Sequence, residues 1–142
     1  MRNYRINIET ILDEQFVDEQ TVRHLVQWIL QAHNQCQTWT VTIVFVDNDY
    51  IINLNKRYFA RNTPTDVISF IIENEKECEG EIYISVEQAK QQARDYDVTL
   101  DNELLRLIAH GIYHLLGYED ATPEGKATMT SLEDQALAVV AS

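Results

Sequence analysis

The sequence predicts an α/β (α+β) domain, a single mixed four-stranded sheet covered by about five helices. Three observations carry this. Four short segments are β-branched or alternate apolar with polar residues, and they lie among segments whose apolar residues recur at helical spacing. The helical segments crowd toward the C-terminal half. With 4 Gly and 2 Pro in 142 residues there is little material for long structureless loops or a linker, so residues 1–142 read as one domain.

In order, residues 4–10 (YRINIET) alternate as a strand. Residues 21–33 place Val22, Leu25, Val26, Ile29 and Leu30 on one helical face after a polar start at Asp18 to Thr21. Residues 39–47 (WTVTIVFVD) are β-branched and strand-like. Asn48 and Asp49 then turn the chain into a short helix over 49–57. Residues 67–72 and 81–85 read as two strands of a hairpin, joined by an acidic loop. Ser85 is placed to cap a helix over 86–96. A long helix is expected over 100–116, with Gly117 suited to end it in the left-handed conformation. Thr122 as cap with Pro123 at the first helical position starts the last helix, whose stripe is Met129, Leu132, Ala136, Val139 and Val140.

Composition limits the partners. The apolar run Val67 to Ile72 is broken by Ser69 and is far too short to span a bilayer, so no membrane partner is expected. The start, MRNYRINIETILDEQF, has scattered charges and no apolar core of a signal peptide, which predicts a cytoplasmic protein. In that reducing compartment Cys36 and Cys78 are expected as free thiols. The net charge of -12 argues against a large nucleic-acid footprint, and no DNA partner is expected. Yet from Tyr50 to Thr65 there is no acidic residue, and Lys56, Arg57 and Arg61 fall in that window. The alternating glutamates from Glu73 to Glu81 read as a solvated surface.

The chemistry concentrates in residues 110–120, HGIYHLLGYED. Two histidines four apart on a helix stand one above the other, so both imidazoles can reach one metal ion. Gly117 stops the helix, and Asp120 can return a carboxylate to the same ion. Three protein ligands leave an open position, the catalytic rather than the structural pattern. On the helical wheel His110 and His114 lie opposite Leu104, Ile108, Ile112 and Leu115, near Glu103 and Arg106. Arg106, four residues before His110, is a candidate to support that ligand, or equally to pair with Glu103. The spacing overlays the metzincin pattern H-E-x-x-H-x-x-G-x-x-H, with Gly111 replacing the glutamate base and Asp120 the third histidine. Loss of that base argues against a protease. His24 and His33 are read as surface or core residues, and Tyr118 as either packed under the site or solvent-facing.

The sequence resembles the YbeY family of single-strand-specific, metal-dependent endoribonucleases, also called rRNA maturation factors. HGIYHLLGYED is similar to the family motif H-G-x-x-H-L-x-G-Y-D-H, Asn55 to Phe70 (NKRYFARNTPTDVISF) to its P-T-D-V-L-S-F strand and approach, and Gly80 to Ser85 (GEIYIS) to the strand after the acidic loop. The resemblance implies a zincin-like metal site with His110, His114 and the residue at 120 as ligands. It also implies single-stranded rRNA as substrate, the small ribosomal subunit and its proteins as partners, and a role in rRNA 3′-end maturation and ribosome quality control. Two positions depart from it. Asp120 stands where the family has histidine, which leaves Zn²⁺ as the first expectation for one divalent ion and makes Mn²⁺ or Fe²⁺ plausible. Phe59 stands where the family has an arginine, so phosphate contact is expected from either neighbour, Arg57 or Arg61. Rival readings are a metallohydrolase of another substrate class, a non-catalytic ribosome assembly factor with a structural or degenerate metal site, and, least favoured, an iron oxygenase using two histidines and a carboxylate.

Overall fold

A computed structural model describes residues 3–14, 17–33, 38–60, 65–72 and 77–140. Among them are four strands, β1 (Asn3–Thr10), β2 (Thr38–Val46), β3 (Val67–Ile72) and β4 (Cys78–Ser85), and five helices, α1 (Glu19–His33), α2 (Asn48–Phe59), α3 (Val86–Tyr96), α4 (Leu100–Leu115) and α5 (Pro123–Val140). The sheet order is β1-β2-β4-β3. β1, β2 and β4 run parallel, while β3 pairs antiparallel with β4 as the expected hairpin, so the sheet is mixed. No helix among the described residues is long and apolar enough to cross a membrane.

The alternation of β2 and β4 divides the core. Val41, Ile43, Phe45, Ile82 and Ile84 face α1 and α4 in one cluster, and Val46 faces α2 with Ile51 and Ile68 in a smaller one. α4 runs through the middle: Leu104, Leu107, Ile108, Ala109, Gly111, Ile112, Tyr113 and Leu115 are all buried. Gly111 lets it lie so close to the sheet. A Cβ there would come within 2.8 Å of the Ile82 Cγ2 and 3.1 Å of the Ser69 Oγ. The position that holds the catalytic glutamate in the metzincin pattern therefore faces β3 and β4, and packing alone excludes a long side chain from it. Each fully buried Ile or Leu contributes about 1.5–3 kcal/mol. Side-chain caps on Asp47, Ser85, Thr99 and Thr122 satisfy the starts of α2, α3, α4 and α5, each worth about 1 kcal/mol.

Three expectations need correction. α2 extends to Phe59 rather than stopping at 57, because Ala60 closes it in the left-handed conformation at φ 54°. β4 starts at Cys78 rather than 81, so Glu79 too belongs to a strand. Cys78 is disulfide-bonded rather than a free thiol. Redox poise is a property of the compartment, whereas the fold sets the distances that allow a disulfide. Cys36 lies outside the described residues.

Candidate metal centre

The last two turns of α4 bring His110 and His114 onto one face, with their Nε2 atoms 3.0 Å apart. The Asp120 Oδ2 lies 3.4 Å from the first and 3.8 Å from the second. Three donor atoms at these spacings suit one ion, since ligands about 2.0–2.1 Å from a tetrahedral zinc stand roughly 3.3 Å from one another. Among the described residues this is the group of acidic and imidazole side chains that can hold a metal ion.

The protonation of both rings follows from their other nitrogens. The Nδ1 of His114 lies 2.9 Å from the Tyr118 carbonyl oxygen, which can only accept, so Nδ1 carries the proton and Nε2 keeps its lone pair. The Nδ1 of His110 donates to the Glu133 carboxylate at 2.6 Å, with the same result. Two lone pairs facing each other at 3.0 Å repel unless a proton or a metal ion relieves them, so the pair suits a shared cation.

The turn after α4 performs two tasks. The N–H of Gly117 donates to the His114 carbonyl at 3.0 Å and that of Tyr118 to the Tyr113 carbonyl at 3.0 Å, the paired bonds of a Schellman stop. The Tyr113 and Tyr118 rings pack edge to face at 5.7 Å across it. This places the Tyr118 carbonyl on His114 and sends the chain back to Asp120. Tyr118 thus packs under the site, and its hydroxyl meets the Nε2 of His33 at 3.0 Å. Gly117 has φ 102°, and nothing lies within 4 Å of a Cβ built on it, so the glycine is there for its backbone alone. Gly117→Ala is expected to lower stability by about 1–2 kcal/mol and to weaken metal binding, with Gly117→Asn milder. Thermal unfolding with and without zinc measures both, and equal stability of the two variants would contradict the backbone argument.

Arg106 does not settle on Glu103. Its guanidinium bonds Glu133 at 3.1 Å and Asp134 at 2.7 Å. Since Glu133 holds His110, Arg106 acts on the centre through that carboxylate. Glu133 escapes sequence reasoning. It lies 23 residues from His110, on the buried stripe of α5 between Met129 and Ala136, where an apolar residue is expected. Glu103 is only 3% exposed, and burial pushes its carboxyl up to about 7, with Asp66 and Glu133 adding to the rise and Arg106 opposing it. The fold thus favours the neutral acid. That stabilisation is complete below about 4.5 and is lost as pH rises through about 7. Glu103→Gln is expected to be near neutral at pH 5 and to stabilise by roughly 1–3 kcal/mol at pH 8. Urea unfolding at the two pH values checks this, and an equal effect at both would refute it.

Beside the centre lies a cleft of about 650 Å³ lined by Asn55, Phe59, Ser69, Ile71, His114 and Glu119, among others. It follows the edge strand β3, between the end of α2 and the end of α4. Phe59 enters its wall; Arg57 is exposed on α2 and does not line it. Arg61 lies outside the described residues. His24 is exposed, and His33 is half-buried, tied to the Ile29 carbonyl and Tyr118. Of the residues singled out from sequence, the structure brings His110, His114 and Asp120 together and connects Arg106 through Glu133.

Fold and site define a small α+β protein with a His-His-Asp group that could hold a metal ion at the end of its central helix. The family model for endoribonuclease YbeY matches residues 7–141, and the chain belongs to that family. The endoribonuclease YbeY of Chloroherpeton thalassium is 33% identical over 127 residues, 89% of each chain. That of Flavobacterium psychrophilum is 32% identical over 95% of this chain and 91% of its own. That of Acholeplasma laidlawii is 44% identical over 69% of this chain and 72% of its own. Among solved structures, the solution structure of TM1509 from Thermotoga maritima matches with a TM-score of 0.64 and 25% identity, over 95% of this chain and 88% of that one.

Proposed function

We propose that this endoribonuclease is metal-dependent and single-strand-specific. In this reading it acts in the cytoplasm on small-subunit rRNA, in 3′-end maturation and ribosome quality control. His110, His114 and Asp120 hold one divalent ion, zinc first and Mn²⁺ or Fe²⁺ next. The observation that carries the reading is the convergence of two Nε2 lone pairs and one carboxylate oxygen within 3.8 Å, beside an open cleft, in a chain of this family. When bound, such an ion polarises a phosphoryl oxygen and acidifies its water.

The chain's own groups do the remaining work. Glu133 and the Tyr118 carbonyl hold both rings in one tautomer and orientation. In this reading a single extended strand lies in the open cleft along β3, where its unpaired bases are free to be contacted. Arg57 or Arg61 supplies phosphate contact from the acid-free window. With a net charge of -12 the footprint is small and local, so affinity for the substrate draws on the ribosomal subunit as well.

The test is cleavage by the zinc- or manganese-loaded chain of a single-stranded RNA, the same sequence in duplex, and casein. Cleavage of the single strand alone, abolished by a chelator and restored by metal, is expected. Arg57→Ala with Arg61→Ala is expected to weaken cleavage at unchanged metal content. A loaded chain that binds ribosomal subunits and cuts no RNA would favour the assembly-factor reading instead.

A further inference from the structure

The sheet face covered by α2 is only partly closed, and what it leaves open is aromatic. Tyr58 is 56% exposed, Phe59 48% and Tyr50 38%. The three belong to one connected set of rings. Phe59 stacks on Phe70 at 6.0 Å and 17°, Tyr58 meets Phe70 edge-on at 5.0 Å, Phe70 meets Tyr83 at 5.9 Å, and Tyr83 stacks on Tyr50 at 5.9 Å. With one face of its ring against Phe70, Phe59 spends its exposure beside the cleft that His114 also lines. A second groove of about 250 Å³, lined by Tyr58, Phe70, Ile71, Glu81 and Tyr83 among others, adjoins that cleft through Ile71.

We propose that this face is a base-stacking track, on which the unpaired bases of single-stranded RNA stack against Phe59 and Tyr58 on their way into the cleft. The proposal rests on the ribonuclease reading above and adds the groups that grip the strand. Three observations select RNA as the occupant. The track is continuous with the candidate metal centre through Ile71 and Phe59. Lys56 and Arg57 are exposed on the same last turn of α2, where they can meet phosphates. The acid in the second groove is Glu81, which repels phosphate and accepts from the amino groups of bases. Bases therefore turn inward and the backbone outward. Stacking on exposed rings needs no particular sequence, because every base has a π-face.

The test uses the metal-loaded full chain and a labelled single-stranded dodecamer of adenosine, with binding read by fluorescence anisotropy and strand integrity by gel. Tyr58→Leu with Phe59→Leu keeps apolar bulk and removes both rings, and its thermal unfolding and metal content check the fold. The dissociation constant is expected to rise about tenfold or more, while an abasic dodecamer binds wild type and variant alike and more weakly than the adenosine strand. Equal binding of the adenosine strand by both proteins, equal binding of the abasic strand and the adenosine strand by wild type, or no binding by wild type each overturns the track. So does a self-association in sedimentation that the leucine pair removes. The ribonuclease reading fails separately, if a strand bound through the rings stays uncut by the loaded chain.

Discussion

His114→Ala and Asp120→Ala are each expected to leave the purified chain without its divalent ion and to lower RNA cleavage by about 1000-fold or more. The site offers three donor atoms, 3.0–3.8 Å apart, and loss of one leaves a pair that no longer surrounds an ion. His114→Ala also releases the Tyr118 carbonyl, so the turn carrying Asp120 loses an anchor. Asp120→Ala removes the one negatively charged donor while both rings keep their orienting bonds. Asp120→His supplies a donor again and is expected to retain metal, which separates loss of a ligand from loss of the fold. Elemental analysis of metal per chain decides the matter. About one equivalent in wild type and in both alanine variants would place the ion elsewhere.

The second large effect is expected at Glu133, which lies outside the three-donor group. Glu133→Ala should weaken metal affinity by about 10–100-fold and lower stability by about 1–3 kcal/mol, because it leaves a part-buried Nδ1–H and one side of Arg106 without an acceptor. Competition with a calibrated chelator measures the first and thermal unfolding the second; unchanged affinity would reduce Glu133 to a packing residue. The same contact sets a pH dependence. Burial works to lower the His110 pKa, but the hydrogen bond and charge of Glu133 outweigh it, and the net value lies above the ordinary 6.5. Without metal, the protonated ring therefore stabilises the fold fully below about 6.5, and this is lost as pH rises through the folded value. Metal needs the deprotonated ring. The gap in Tm between metal-loaded and metal-free protein should thus widen as pH rises, and Glu133→Gln should flatten that widening.

What could be read from sequence was local. The ligand group follows from helical spacing, a glycine stop and a short return, all within residues 110–120. The strands with alternating apolar residues and the helices with an apolar stripe fell where periodicity put them, within a residue or two. The start of β4 was hidden because Glu79 and Glu77 flank Cys78 in a run of alternating glutamates. The period is that of a strand, but its visible half is charged and reads as solvated loop. Period analysis missed the last turn of α2 because Arg57, Tyr58 and Phe59 are all exposed and leave no buried stripe to count. Glu133 was illegible for a stronger reason. Its role is a contact between two helices, and nothing near it in sequence names the ring it holds.

That contact also has a consequence in time. α5 follows every other described element along the chain. A ribosome therefore makes both histidines, Asp120 and the whole sheet before it makes the carboxylate that orients His110. Until α5 docks, the Nδ1 of His110 faces water and Arg106 lacks both of its acidic partners. A nascent chain is surrounded by RNA from its first residue onward. Here the helix that orients His110 is the last described element to leave the ribosome, so until it docks one of the three candidate donors lacks the contact that fixes it.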